Sequence, residues 1–142
     1  MRSLLDVNVL IALLDVDHAH HLAATAWLSE HLQEGWASCP LTQNGCVRIM
    51  SQPGYPNPLQ PAQVAMRLAE AARGPRHEFW PDRVSLLDAD AIDLARLLGP
   101  RQVADAYLLA LAVAQGGRFV TFDRAVPVSA VRGAKPQHLF VI

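Results

Sequence analysis

The chain has 142 residues, of which 51% are hydrophobic and 18% are charged, and its 12 Lys+Arg and 13 Asp+Glu give a formal net charge of −1. This composition is too apolar for a disordered segment, and no run reaches the roughly 18 apolar residues that a membrane-spanning helix needs. We therefore predict one cytoplasmic domain over residues 1–142, with no membrane segment. The near-neutral charge argues against a uniformly basic, nucleic-acid-coating surface but allows a local basic patch.

The cysteines and arginines of the chain indicate which kinds of site it can form. Cys39 and Cys46 are too few for a disulfide scaffold, and their spacing is not that of a structural zinc site, so we predict two small buried residues. All cations except Lys135 are arginine, whose planar guanidinium suits bidentate contacts to phosphate.

The first half of the chain alternates predicted strands and helices. Residues 1–5 predict a strand, and residues 6–14 change to a helical pattern. A helix over residues 18–33 is predicted from apolar residues at helical spacing, read as a stripe packed on a core: Ala19, Leu22, Ala23, Ala26 and Trp27. A strand over residues 36–39 and a helix over residues 41–50 follow.

The second half continues this alternation after a proline-rich loop over residues 51–61. The pattern predicts a helix around residues 65–72, a strand within 77–87, a helix carrying Ala91, Leu94, Ala95 and Leu98, and a helix over 101–115. Strands are predicted over residues 118–122 and 138–142. This alternation favours an α/β fold with a parallel sheet covered by helices on both faces.

Two carboxylates directly follow predicted strands. Asp6 closes the first strand and Asp123 closes the strand over residues 118–122. In open α/β sheets the functional crevice lies beyond the carboxyl ends of the strands, so both positions suit a site. Each residue taken alone is also explained as a helix cap or a turn residue.

Asp105 lies on the apolar face of its predicted helix, with Leu108, Leu109 and Ala112. A buried carboxylate must become neutral or find a partner, which is a cation, the helix N-terminus or Arg101. If Asp105 meets Asp6 and Asp123, mutual repulsion favours a divalent cation, and oxygen ligands indicate Mg²⁺ or Mn²⁺.

Four ordered blocks of the chain resemble the signature motifs of PIN-domain ribonucleases of the VapC toxin type. They are LLDVNVLIAL over 4–13, LTQNGCVRI over 41–49, VADAYLLALA over 103–112 and TFDR over 121–124. The resemblance implies a three-layer α/β/α sandwich, Mg²⁺- or Mn²⁺-dependent endoribonuclease activity, homodimerisation, and inhibition by a cognate antitoxin protein.

The resemblance also implies roles for single residues. Asp6, Asp105 and Asp123 match the family's acidic metal site, and Asn8 and Thr121 match polar residues that support it. The departure is Gln43, where many members carry glutamate. Glutamine keeps a carbonyl ligand but removes one charge, so its role is either that of a weak ligand or water-holding residue or that of an ordinary polar residue near a helix start.

A metal-activated water attacking an RNA phosphodiester would give a 5′-phosphate and a 3′-hydroxyl, with one carboxylate as general base. The predicted contacts to the RNA backbone are Arg48 and Arg124, with Arg101 and Arg118 behind them. Each arginine is alternatively a solvated charge or an ion-pair partner.

Two other functions compete with a ribonuclease. The first is a PIN-like protein, catalytically weakened at Gln43, that binds RNA or an antitoxin. The second is a phosphotransfer domain with Asp6 as nucleophile, which the absence of a lysine near the four blocks disfavours.

Overall fold

A five-stranded parallel sheet forms the centre of the molecule in a computed structural model that describes residues 1–142. Its strands are β1 (Ser3–Leu5), β2 (Trp36–Ser38), β3 (His77–Phe79), β4 (Arg118–Thr121) and β5 (Leu139–Val141). The order across the sheet is β3-β2-β1-β4-β5, and every neighbouring pair is parallel. This confirms the predicted parallel α/β architecture.

Helices cover both faces of this sheet. They are α1 (Val7–Leu14), α2 (His21–His31), α3 (Pro40–Met50), α4 (Pro61–Ala72) and α5 (Val103–Ala114). Alternate residues of a strand point to opposite faces. Accordingly, Leu4 and Phe119 pack in one core with α5, whereas Leu5 and Val120 pack in a second core with α1 to α4. The result is the predicted three-layer α/β/α sandwich.

The predicted apolar stripe of α2 is confirmed only at Trp27 and is wrong at its other four residues. The helix begins at His21 rather than residue 18, and its buried residues are Ala24 and Trp27. Leu22 is 82% exposed, and Ala19, Ala23 and Ala26 are exposed as well. Trp27 decides which side faces the core because its large ring gains far more from burial than alanine side chains do.

The predicted helix over residues 91–98 is also wrong. The segment forms turns and a single 3₁₀ turn at Leu94–Arg96, and Leu98 is 91% exposed. Asp88 Oδ1 accepts a hydrogen bond from the Asp90 N–H, and Asp93 Oδ1 accepts one from the Ala95 N–H. Such local side-chain bonds offer the backbone an alternative to the helical ladder.

Close packing between α1 and α3 depends on Gly45. A Cβ atom at this position would lie 2.7 Å from Cγ2 of Val7. Only a residue without a side chain therefore lets the two helices approach to this distance. Both cysteines are fully buried free thiols, as predicted, and none of the helices has the length and apolar character needed to cross a membrane.

Candidate active site

Asp6 lies at the carboxyl end of β1 and caps the N-terminus of α1. Its Oδ1 accepts a hydrogen bond from the Val7 N–H at 2.8 Å, and its Oδ2 accepts one from the Thr121 hydroxyl at 2.7 Å. Only 8% of the residue is exposed. Burial, together with the negative charge of Asp123, raises the pKa of Asp6 above its ordinary value, although both hydrogen bonds oppose this shift.

Asp123 reaches the same region from the end of β4, the strand next to β1. Its backbone N–H donates to Thr121 Oγ1 at 3.1 Å, and its Oδ1 accepts from the Ala125 N–H at 2.7 Å. Because parallel neighbours end at the same edge of a sheet, the two strands deliver their carboxylates to one place.

Asp105 comes from the first turn of α5. Burial, the charges of Asp6 and Asp123, and a hydrogen bond to the Asp123 side chain raise the pKa of Asp105 to about 7. Asp105 makes no salt bridge, so the pairing with Arg101 that the sequence left open does not form. The three acidic side chains therefore form one repelling group.

All three carboxylates line one cleft of about 310 Å³. Its other polar and charged lining residues are Asn8, Asn44, Arg48 and Arg101. The cleft thus combines three acids with two arginines. Carboxylates can bind a cation, and guanidinium groups can contact phosphate oxygens. The two together suit a site that takes a phosphodiester.

Two further predicted site residues lie outside the cleft lining. Thr121 is fully buried beneath it and is linked to it by its hydrogen bonds with the Asp6 carboxylate and the Asp123 backbone. Arg124 is exposed and does not line the cleft. Arg118, the remaining arginine considered, donates to Ser3 and pairs with Glu34, which is the structural alternative that its sequence position left open.

The structure does not bring Gln43 into the cleft. Its Nε2 donates to the hydroxyl of Ser38 at 2.9 Å, and that hydroxyl lies 2.8 Å from Nε2 of His77. Because Gln43 supplies a proton to Ser38, the Ser38 proton is free to be donated to His77. The Gln43 side chain otherwise lines a groove between α3 and α4.

Sequence analysis missed Asn44 as a lining residue. Asn44 and Arg48 are four residues apart on α3, so they lie on the same face of the helix, whereas Gln43 is rotated by about 100° from Asn44. Since Arg48 was predicted to face the site, its i−4 neighbour Asn44 could have been predicted to face it as well.

The donor set of the cleft suits a hard divalent cation. Its acidic residues are all carboxylates, and burial and their mutual repulsion raise the pKa of Asp105, a cost that a bound cation relieves. The three side chains line the cleft without already being arranged as a closed group of metal ligands. Oxygen donors of this type fit Mg²⁺ or Mn²⁺ better than zinc or copper.

Comparison with known proteins extends over nearly the whole chain. The family model for the PIN domain matches residues 3–131. The chain is 57% identical over 139 residues to Ribonuclease VapC44 of Mycobacterium tuberculosis, covering 98% of both chains. It is 43% identical over 134 residues to Ribonuclease VapC39 of the same organism, covering 94% of this chain and 96% of that protein.

Two solved structures share the fold. VapC20 of Mycobacterium tuberculosis, described as a toxin that cleaves the sarcin-ricin loop, superposes with a TM-score of 0.60 at 12% identity, over 94% of this chain and 99% of that chain. VapBC2 of Rickettsia felis, bound to promoter DNA, superposes with a TM-score of 0.59 at 13% identity, over 87% and 89%. The family match and the full-length identities decide the assignment: this chain belongs to the PIN domain family, among the VapC ribonucleases.

Proposed function

We propose that this protein is a Mg²⁺- or Mn²⁺-dependent endoribonuclease that acts as the toxin of a toxin–antitoxin pair in the cytoplasm. The observation that carries the proposal is the cleft in which Asp6, Asp105 and Asp123 face Arg48 and Arg101. Membership of the VapC ribonucleases supports the choice of RNA as substrate.

Asp6, Asp105 and Asp123 would hold the cation. When bound, the cation would supply positive charge at a phosphate oxygen and make a water molecule a better nucleophile. Thr121 and the Val7 N–H hold the Asp6 carboxylate in one orientation, so this ligand is positioned before substrate arrives.

Arg48 and Arg101 line the cleft and make no salt bridge with any acid, so both guanidinium groups are available to phosphate. A carboxylate of the cleft that is not fully engaged by the cation would accept the proton of the attacking water as general base. Asn8 and Asn44 offer amide groups to the ribose or phosphate.

The partners that we propose are a cognate antitoxin protein and a second copy of the chain. A groove of about 520 Å³ away from the carboxylates is lined by Val16, Ala19, Tyr55, Leu59 and Arg67 among others. Val16 is 74% exposed and Leu22, on the outer face of α2, is 82% exposed. Exposed apolar surface of this kind supports protein partners.

RNA cleavage by the purified protein tests the proposed activity. A mixed pool of structured RNAs is incubated with Mg²⁺, with Mn²⁺ or with EDTA, using the wild type and the Asp6→Asn and Asp105→Asn variants. Asp90→Asn is the matched control because Asp90 is an exposed carboxylate that does not line the cleft.

We expect cleavage only with metal, unchanged in Asp90→Asn and lost in both cleft variants. RNA binding without cleavage would replace the proposal with the catalytically weakened binding protein. A covalent phosphoaspartate at Asp6 after incubation with a phosphodonor would replace it with the phosphotransfer domain.

A further inference from the structure

The carboxylate cleft opens into a second depression of different chemistry. We call this depression the trough, and its volume is about 440 Å³. Asp82 is its only charged lining residue, and the others are Leu41, Leu86, Pro100, Val103, Ala104 and Tyr107. Leu41 and Ala104 line both the cleft and the trough. The two sites are therefore parts of one continuous surface.

The two parts divide their charges unequally. Both lining arginines belong to the cleft, and the trough has none. Guanidinium contacts to a phosphate group are therefore available only in the cleft, whereas Asp82 repels a phosphate group from the trough. The trough instead suits an apolar, flat group that is attached to the phosphate and emerges next to it.

Tyr107 and Asp82 limit what that group is. Tyr107 is partly buried on α5 beside Val103 and Ala104, so its ring forms a wall that is held by the helix. Asp82 and Tyr107 line the same trough, so the carboxylate and the ring both face a group bound there. An ionised carboxylate only accepts hydrogen bonds, so the bound group must present donors.

An unpaired nucleobase meets all these conditions. Its faces pack on apolar and aromatic walls, and its edge offers donors. The Watson–Crick edge of guanine presents two adjacent donors, N1–H and the N2 amino group, which match the two oxygens of one carboxylate. A volume of about 440 Å³ lies in the range of about 300–1,000 Å³ that is usual for small-ligand sites.

We propose that the trough binds an unpaired guanine of the substrate RNA, next to the scissile phosphate, and that Asp82 selects this base. The inference rests on the proposed ribonuclease function for its substrate class. It adds a specificity-determining residue that lies outside the acidic cleft. Leu41 and Tyr107 supply the apolar surface on which the base packs.

Binding without cleavage tests the inference separately from the nuclease activity. Fluorescence anisotropy in EDTA measures the affinity for four labelled tetranucleotides. They carry uridine at three positions and differ only at one internal position, which is G, A, C or U. The variants are Asp82→Asn, whose amide presents one donor and one acceptor, and Leu41→Ser, which reduces the apolar wall. Asp90→Asn is the control because Asp90 lines neither the cleft nor the trough.

We expect the guanine oligonucleotide to bind about tenfold more tightly than the others, in the range of one bidentate base contact. Asp82→Asn should reduce this preference to less than about threefold, and Leu41→Ser should weaken the guanine oligonucleotide most. Asp90→Asn should change neither result.

Equal affinity for the four bases, or a guanine preference that Asp82→Asn leaves intact, would overturn the inference even if metal-dependent cleavage is found. Guanine-selective binding that depends on Asp82, in a protein that cuts no RNA, would retain the trough and refute the proposed nuclease. Binding that no base or trough variant affects would assign the trough to a protein partner instead.

Discussion

The hydroxyl of Thr121 donates a hydrogen bond to Oδ2 of Asp6 at 2.7 Å, although the two residues are 115 positions apart in the chain. Oγ1 of Thr121 also accepts a hydrogen bond from the backbone N–H of Asp123 at 3.1 Å. One buried hydroxyl thus connects the ends of β1 and β4, orients the Asp6 carboxylate and holds the backbone at Asp123. The Asp6 carboxylate cannot turn without breaking its bond to Thr121, and the backbone of Asp123 is held by the same side chain.

Replacing Thr121 with valine keeps the shape of the side chain and removes the hydroxyl. Asp6 Oδ2 then loses its donor in a buried position, which we expect to lower the free energy of unfolding by about 1–3 kcal/mol. Loss of a residue that orients a metal ligand typically costs about 10- to 100-fold in activity or metal affinity. Chemical denaturation and the RNA cleavage assay measure the two effects.

Thr121→Ser is the matched control because it retains the hydroxyl. Cleavage near the wild-type rate in the serine variant, with loss in the valine variant, would assign the effect to the hydrogen bonds. Equal losses in both variants would show instead that the methyl group and its packing matter.

Removing the charge of Asp105 should stabilise the protein when no metal is present. Asp105→Asn removes a charge whose burial and repulsion by Asp6 and Asp123 raise the pKa of this group to about 7. Since one pKa unit corresponds to about 1.4 kcal/mol, we expect a gain of about 1–3 kcal/mol in the free energy of unfolding at pH 8 in EDTA.

Thermal unfolding with and without Mn²⁺ completes this test. The wild type should gain stability from the cation because the cation binds only the folded state, and Asp105→Asn should gain much less. A variant that is less stable than the wild type in EDTA would contradict the unfavourable charge that we describe at Asp105.

Introducing a carboxylate at Gln43 should not strengthen metal binding. Because Gln43 contacts Ser38 rather than the cleft, Gln43→Glu places the new charge away from Asp6, Asp105 and Asp123. Manganese titration by calorimetry should give the same affinity as in the wild type, within about twofold. A tenfold increase would show that residue 43 reaches the cation.

The same substitution should raise the pKa of His77. A carboxylate at position 43 accepts the Ser38 proton, so His77 becomes the donor to Ser38, and the added negative charge nearby favours the protonated ring. NMR titration of the His77 ring measures this directly, and Gln43→Met, which offers neither charge nor an amide, is the control. An unchanged His77 titration in Gln43→Glu would refute the proton arrangement.

His77 should make stability fall as the solution becomes acidic. Burial lowers the pKa of His77 below its ordinary value of 6.5, so the unfolded chain binds this proton more readily than the folded protein. The His77 contribution is complete above pH 6.5 and is lost as the pH falls toward the folded-state pKa. Urea denaturation between pH 7.5 and 5 should show a weaker pH dependence in His77→Gln than in the wild type.

His20→Gln provides the comparison for this experiment because His20 is exposed. It should keep the wild-type pH dependence. If His77→Gln and the wild type lose stability in parallel, other groups are responsible for the acid sensitivity.

Patterns that the core imposes could be predicted from the sequence. The strands before Asp6 and Asp123 are buried runs, and Asp105 interrupts an apolar helix face, so these three positions were recognisable without coordinates. The direction of Gln43 was not, because it depends on Ser38 in β2 and His77 in β3, which only the assembled sheet brings together.

The sequence also did not show which face of α2 is exposed. Alanine and leucine at helical spacing predict an apolar stripe, but they do not say whether the domain itself or another molecule covers it. The Trp27 ring and its stacking on His31, at 4.6 Å between ring centroids, decide which side of the helix packs inward.

Because of Gly45, the width of the cleft and the chemical groups that line it can change separately. The contact between this glycine and Val7 sets the distance between α1 and α3, and hence the gap between Asp6 on one side and Asn44 and Arg48 on the other. Substitution at Asn44 or Arg48 alters what the wall presents while the gap stays the same. Substitution at Gly45 alters the gap while every functional group is retained. Residue 45 thus sets the width of the cleft, and residues 44 and 48 set the groups that line it.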